Sequence, residues 1–336
     1  MFEFLQGKTV LVTGAAGFIG SNLVAKLIPL GAHIIGVDNL LTGRIENLAG
    51  FLDDARISRV SNFEFITADV TQPVASYLPE GKKIDVVLHF ASPASPPRYQ
   101  KYPVETYLVN SLATHYLAEY LHKTNPEGRF VFAGTSEAYG DPQVHPQPET
   151  YWGNVNPNGK RSCYDESKRL GETICGVFYR DFGLDTRIVR IFNTYGPNMD
   201  PTDGRVIPNF VMQALKGGPL TVYGDGSYTR SYCYIDDLVE YILRMTCKEG
   251  LAGETVNIGN PQEFTILQTA QLIHEAINPG AEFKADFKPL PSDDPTKRKP
   301  DITKAKQLLG FEPQVQFAEG LQKTIEYFRP IYAAVS

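Results

Sequence analysis

Tyr164 and Lys168 stand four residues apart in the run Ser162-Cys163-Tyr164-Asp165-Glu166-Ser167-Lys168. On a helix that spacing sets both side chains on one face, so an ammonium lies beside a phenol. A free tyrosine ionises near pKa ~10, too high for a base at neutral pH, and a nearby positive charge favours the phenolate. Pairs of this spacing are common, and this one gains its meaning from what precedes it. A β-branched, apolar run over residues 8–13 leads into Gly14-Ala15-Ala16-Gly17-Phe18-Ile19-Gly20, and residues 21–27 follow with helical spacing. Glycines at such a turn let backbone amides approach a pyrophosphate at a helix N-terminus, where the dipole favours an anion. A second strand, 33–37, ends at Asp38, placed to accept from a ribose 2′-hydroxyl and to repel a 2′-phosphate. Together these residues predict dinucleotide binding, with NAD favoured over NADP.

The elements that must position these groups read as alternating strands and helices. Residues 62–67 form a predicted strand that ends at Asp69 and Val70. Another covers 84–90, and the proline-rich stretch after it, 91–97, is predicted to have no regular structure. A long amphipathic helix is predicted from about residue 103 to 123, and a strand over 129–134 runs into Thr135, Ser136 and Glu137. Repeated βα alternation with short connections implies an α/β fold on a doubly wound parallel sheet. The cofactor is then expected along the strand ends: at Gly14, Gly17, Phe18, Ile19 and Gly20, at Asp38 and Asn39, at Asp69 and Val70, and at Phe90, Ala91 and Ser92. Beyond residue 194 the alternation gives way to scattered elements rich in Gly, Pro and Asp. The expected division is a Rossmann NAD-binding domain over 1–194, to which later segments return, and a smaller α/β, mainly substrate-binding lobe over 195–330.

The 336 residues are enough for a large core. A net charge of −6 with no basic stripe argues against nucleic acid, and Lys297-Arg298-Lys299 is too short to reverse that. The four cysteines lack CxxC spacing and read as reduced thiols, and the six histidines show no metal-binding pattern, so no metal is expected. The chain enters its first strand with no signal-peptide pattern before it, and no apolar run approaches the ~20 residues that span a bilayer. A soluble, cytoplasmic enzyme with no membrane partner is expected. His89, at the end of a buried strand, reads as structural, Tyr139 and Tyr195 as packing, and Cys163 as having no role.

Beyond these features the sequence resembles the extended short-chain dehydrogenase/reductase family, in its nucleotide-sugar branch and nearest its UDP-glucuronate decarboxylases. The resemblance is carried by Ser92-Pro93-Ala94-Ser95-Pro96-Pro97, Thr135-Ser136-Glu137-Ala138-Tyr139-Gly140, Tyr164-Asp165-Glu166-Ser167-Lys168-Arg169, Asp203-Gly204-Arg205-Val206 and Arg298-Lys299-Pro300-Asp301. It runs almost end to end, with small departures at Gly134, Ala138 and Ser167. The glycine turn and the Tyr–Lys pair mark only the superfamily, whereas the proline loop and the Arg298 segment are narrower.

The resemblance implies a reaction. Tyr164 takes the 4-hydroxyl proton of a UDP-sugar acid while hydride passes from carbon 4 to NAD; the 4-ketone, β to the carboxylate, lets carbon dioxide leave, and carbon 5 is then protonated before hydride returns. It also implies roles. Lys168 orients the nicotinamide ribose and lowers the Tyr164 pKa, and Thr135 with Tyr164 holds the enolate oxygen. Glu137, with Ser136 beside it, faces the substrate carboxylate and helps expel it by repulsion. Arg298 is a charge partner to the acid, or the source of the carbon 5 proton directly or through a held water. Asn193, Arg205 and Arg230 meet the sugar and diphosphate, and Thr221 and Tyr223 flank the uracil. Arg98 and Tyr99 touch the sugar or cap the proline loop. Ser136 stands where related 4,6-dehydratases carry an aspartate, and a serine hydroxyl is a poor acid for expelling water. The competing readings are a nucleotide-sugar 4,6-dehydratase or 4-epimerase and, in another class, a silent NAD-binding regulator. A homodimer is implied, paired through the helix after Pro103 and the helix bearing Tyr164.

Overall fold

The structure is a computed structural model that describes residues 1–53, 56–290 and 295–335. Its centre is a seven-stranded sheet built from β1 (Thr9–Thr13), β2 (His33–Asp38), β3 (Phe63–Thr67), β4 (Val86–His89), β5 (Arg129–Thr135), β6 (Asp185–Ile191) and the strand Thr255–Ile258. Running from one edge, the order is Thr255–Ile258, β6, β5, β4, β1, β2, β3, and every neighbouring pair is parallel. Alternate residues of one strand go to opposite faces. Val10 and Val12 join a core with Leu23, Val24 and Leu238, whereas Leu11 joins Leu117, Leu121, Phe130 and Phe178 on the other side. Covered on both faces, the strands read as the continuous apolar runs seen in the sequence.

The chain order reverses between β1 and β4, which pair directly. Loops leaving the carboxyl ends of those two strands diverge, and ligands of such sheets bind in the crevice between them. The helix α1 (Phe18–Leu27) follows β1, and α2 (Pro96–Lys101) follows β4. The proline stretch was expected to be irregular, yet Pro96 opens α2. Proline suits a first helical turn, whose amide has no intrahelical partner in any case.

The helix expected over 103–123 is two helices, α3 (Pro103–Asn110) and α4 (Leu112–Thr124). At the break, the Ser111 hydroxyl donates to the Tyr107 carbonyl at 2.5 Å, and its amide is shared between Tyr107 and Leu108 carbonyls at 3.1 and 3.3 Å. A serine that bonds back to the preceding turn bends a helix, and here it interrupts one. The helix α5 (Ser162–Phe182) buries Tyr164, Lys168, Gly171, Cys175 and Phe178, a spacing of alternating fours and threes along one stripe. It stops at Gly183 (φ +71°), with the Leu184 amide returning to the Phe178 carbonyl.

Past residue 194 the described elements include three small sheets. Strand Lys297–Arg298 pairs with Thr229–Ser231 so that Arg298 stands opposite Arg230, and Glu263–Thr265 pairs on the far side of that strand. Leu220–Tyr223 pairs with Ala285–Lys288. No described helix is long and apolar enough to cross a membrane.

Candidate active site

Two adjoining cavities open at the crevice. The first, about 360 Å³, is lined by Gly14, Gly17, Phe18, Ile19, Gly20, Asp38, Asn39, Asp69, Val70, Phe90, Ala91 and Ser92, so it gathers every residue singled out along the strand ends. The turn after β1 requires its glycines. Gly14 has φ +73°, a Cβ there would lie 2.8 Å from the Ala91 backbone, and one on Gly20 would lie 2.0 Å from the Gly14 carbonyl. Phe18, Ile19 and Gly20 open α1, and their amides have no intrahelical acceptor. Thr13 staples the two diverging loops together. Its hydroxyl oxygen accepts from the amides of Phe90 and Ala91, both at 3.2 Å, and the hydroxyl donates to His89 Nδ1 at 2.7 Å. His89 Nε2 donates to the Val109 carbonyl at 3.0 Å, and burial, then the charge of Lys168, push its pKa down to about 3. The ring is neutral, satisfied and structural.

Asp38 accepts from the Ala16 and Leu40 amides at 3.0 and 2.8 Å; burial pushes its carboxyl up, against the pull of those amides. Arg44, which the sequence reading passed over, lines the same cavity with a buried Nη1 that has no hydrogen-bond partner among the described residues. A glycine-lined pyrophosphate cradle, an acid at the end of β2 and an unmet donor beside them fit a dinucleotide such as NAD.

The second cavity, about 570 Å³, shares Ile19, Phe90, Ser92 and Arg205 with the first. Its lining brings together Thr135, Ser136, Glu137, Tyr164, Lys168 and Arg298, and also Tyr99, Asn193, Thr221, Tyr223 and Arg230. Four arginines (Arg161, Arg205, Arg230 and Arg298) and Lys168 face it, against a single acidic side chain, Glu137, among the described lining. Arg205 is forked onto Asp203 at 2.5 and 2.9 Å, and Arg230 donates to the Thr229 carbonyl at 2.9 Å. The Asn193 Nδ2 is buried and has no hydrogen-bond partner among the described residues. Arg98 donates to Asp200 at 2.7 Å and to Thr202 at 2.9 Å, so it ties the proline loop to the segment after β6, while the buried Tyr99 belongs to the wall of the second cavity.

The Tyr164–Lys168 pair shares a face, with Lys168 Nζ 5.8 Å from the Tyr164 ring centroid. Yet the ammonium is aimed elsewhere: Nζ donates to the Ala133 carbonyl at 2.8 Å, and burial brings the Lys168 pKa down to about 7. Burial pushes the Tyr164 phenol up to about 12; a hydrogen bond with Thr135 and the charge of Arg205 pull the other way. Lys168, expected to lower this phenol, is not among the groups that act on it most strongly here. Desolvation dominates at this phenol, and the ammonium of Lys168 is turned to a carbonyl rather than to the Tyr164 oxygen.

Glu137 is also unlike its expectation. Arg298 donates to both carboxylate oxygens, at 2.5 and 2.8 Å, and Arg161 donates to the second. Burial pushes the carboxyl up, but Arg298 and then Arg161 more than offset it and hold its pKa at about 2. A carboxylate claimed by two guanidiniums is a poor source of repulsion for another acid, which weighs against the expected role in expelling carbon dioxide. Arg161 was missed by the sequence reading, although a cation one turn before Tyr164 at the start of α5 was visible. So was Asp165, whose Oδ2 lies 3.8 Å from Arg161 and whose carboxyl burial pushes up to about 8.

The parallel sheet, glycine cradle and Thr–Tyr–Lys set define a dinucleotide-dependent enzyme of the doubly wound α/β class. The chain belongs to the NAD dependent epimerase/dehydratase family, whose family model matches residues 10–259. It is 48% identical over 320 residues to UDP-glucuronic acid decarboxylase 4 of Arabidopsis thaliana, covering 95% of this chain and 68% of that one. It is 45% identical over 322 residues to UDP-glucuronic acid decarboxylase 1 of Xenopus tropicalis, covering 96% and 72%. Among solved structures it resembles UDP-glucuronic acid 4-epimerase from Bacillus cereus, in complex with UDP-glucuronic acid and NAD, with TM-score 0.84, 28% identity and coverage of 96% and 100%.

Proposed function

We propose that this protein converts UDP-glucuronate to UDP-xylose by transient oxidation at carbon 4, loss of carbon dioxide and re-reduction. The observation that carries this reading is the charge of the second cavity, where four arginines and a lysine are answered only in part by the carboxylates of Glu137 and Asp203. A substrate with a diphosphate at one end and an acid at the other matches such a surplus. Relatives named as UDP-glucuronic acid decarboxylases support the choice of acid.

NAD, when bound, supplies the means to take a hydride from carbon 4 and return it. Tyr164 receives the 4-hydroxyl proton and hands it back, Thr135 steadies the phenol and the oxygen that carries charge in between, and Lys168 orients the cofactor ribose. The 4-ketone so formed is β to the carboxylate and acts as the electron sink when carbon dioxide leaves. Arg205, Arg230 and Asn193 hold the diphosphate and sugar, and Thr221 and Tyr223 flank the uracil. Arg298 and Arg161 fix Glu137 at the acidic end of the sugar. Residues 195–330 act as the substrate lobe, and two copies of the chain pair through α3 and α5.

The competing reading, a 4-epimerase or 4,6-dehydratase, uses the same first step. Ser136 weighs against dehydration because its hydroxyl cannot readily protonate a departing hydroxide. Mass analysis of the product from purified protein and UDP-glucuronate, with no cofactor added, decides. A UDP-pentose with carbon dioxide is expected; an isomeric hexuronate or unchanged substrate overturns the reading.

A further inference from the structure

Arg298 grips Glu137 through both terminal nitrogens of its guanidinium, yet it stands on a strand of only two residues, Lys297–Arg298. That strand pairs with Thr229–Ser231, and the Arg298 carbonyl accepts from the Ser231 hydroxyl at 3.3 Å. So short a ladder is too weak by itself to fix a long charged side chain in one place. A further hold is needed.

The segment that follows Glu137 supplies it. Beyond the turn Ser136–Tyr139 the chain reaches Gln147, which is completely buried and lies against Pro300. The Gln147 amide donates to the Lys299 carbonyl at 3.0 Å, and its side-chain Oε1 accepts from the Lys299 amide at 2.9 Å. Its own carbonyl accepts from the Asp301 amide at 3.0 Å. Gln147 Nε2 donates to the Val144 carbonyl at 2.8 Å, so a donor at one end and an acceptor at the other settle which way the side chain faces. On the other side of Arg298, Asp141 accepts from the Thr296 amide at 3.2 Å, and one loop thus holds the chain before and after that arginine. The hold is anchored in the central sheet. Asn257, on the strand Thr255–Ile258, donates to the Gln147 carbonyl at 2.9 Å and accepts from the Tyr139 hydroxyl at 2.7 Å.

Resting on the decarboxylase reading, we propose that Gln147 is a positioning residue that sets the Arg298–Glu137 pair at the acid end of the substrate. Gln147 lines neither cavity, so it acts through the backbone of Lys299 and not by touching the sugar. Glu137 and Gln147 belong to one segment and Arg298 to another, and Gln147 locks the second to the first. The nucleotide end is insulated from this lock, because Thr229–Ser231, which carries Arg230, also pairs with Glu263–Thr265.

Gln147→Met keeps the volume of the side chain and removes both of its hydrogen bonds. Rates with UDP-glucuronate are compared with the affinity for UDP, which has the nucleotide end and no sugar acid, and with hydrogen exchange at the Lys299 amide. A misplacement near 1 Å costs about 10²-fold, so kcat/KM for UDP-glucuronate should fall by about that factor while UDP affinity stays within about twofold. Exchange at the Lys299 amide should quicken. Gln147→Glu is the conservative rescue, and it decides should the methionine variant not fold. Burial favours its neutral carboxyl, which accepts from Lys299 and donates to Val144 as the amide does, so kcat/KM is kept at neutral pH. Ionised at higher pH, it repels the Val144 carbonyl, and kcat/KM falls while UDP affinity holds. Wild type over the same range accounts for titration of His145, Glu149, Glu263, Lys299 and Asp301 around it. Unchanged kcat/KM in Gln147→Met, or UDP affinity that falls in parallel with it, overturns the proposal. So does a Gln147→Glu variant that follows wild type at every pH. Absence of carbon dioxide from the wild type overturns the underlying reading instead.

Discussion

Tyr164 carries the largest consequence at the scale of single residues. Tyr164→Phe should lower kcat by about 10²–10⁴ while the cofactor content of the purified protein stays unchanged. Steady-state rates beside cofactor content after gel filtration check this, and an active variant would remove the assigned base. Glu137 predicts a stability effect. Its folded pKa, about 2, lies below the ordinary 4.5, so its stabilisation is complete above about 4.5 and is lost as pH falls from there through 2. Glu137→Gln leaves Arg161 and Arg298 facing a neutral amide in a buried place, at a cost of about 3–5 kcal/mol. Denaturant unfolding at neutral and acidic pH should show the loss at neutral pH and a flatter acid limb in the variant. That Thr135, Tyr164 and Arg298, which share one cavity, belong to one site was legible in the sequence. Their electrostatics were not, because Glu137, Arg161 and Arg298 come from three distant segments and no local spacing reveals that one carboxylate serves two guanidiniums.

At the scale of elements, α5 places the chemistry through a glycine. A Cβ on Gly171 would lie 2.3 Å from Phe132 Cζ and 2.7 Å from the Asn110 carbonyl, so only glycine lets α5 sit this close to β5 and α3. That closeness seats Lys168 under the Ala133 carbonyl. Gly171→Ala should push the helix outward, cost about 1–3 kcal/mol by overpacking and reduce kcat more than it changes KM. Thermal unfolding together with kinetics checks both; full stability and activity would mean the helix can shift freely. Strands and the first helix were readable because their two-fold and 3.6-fold periods are local. The interruption at Ser111 was not, since a serine hydroxyl that turns back to a carbonyl leaves the apolar stripe on either side unchanged. The start of α2 at Pro96 was hidden for a related reason, as proline marks both loops and first helical turns.

At the scale of the molecule, the surface of α3 and α5 is the feature the monomer leaves unexplained. Tyr107 on α3 and Leu170 on α5 are 44% and 49% exposed, while the opposite stripe of α5 is buried against the sheet. Apolar side chains gain about 25 cal/mol for each Å² removed from water, so two copies that pair through these helices bury what one copy exposes. Leu170 lies on the face of α5 away from the stripe carrying Tyr164 and Lys168, so the proposed dimer would brace the helix that holds the base. Light scattering should give a molar mass near twice that of the chain. Leu170→Glu, which places a charge on that surface, should shift the mass toward the monomer and lower thermal stability. A wild-type mass equal to one chain across the working concentration range would remove the pairing, and α5 would then depend on Gly171 and its buried stripe alone.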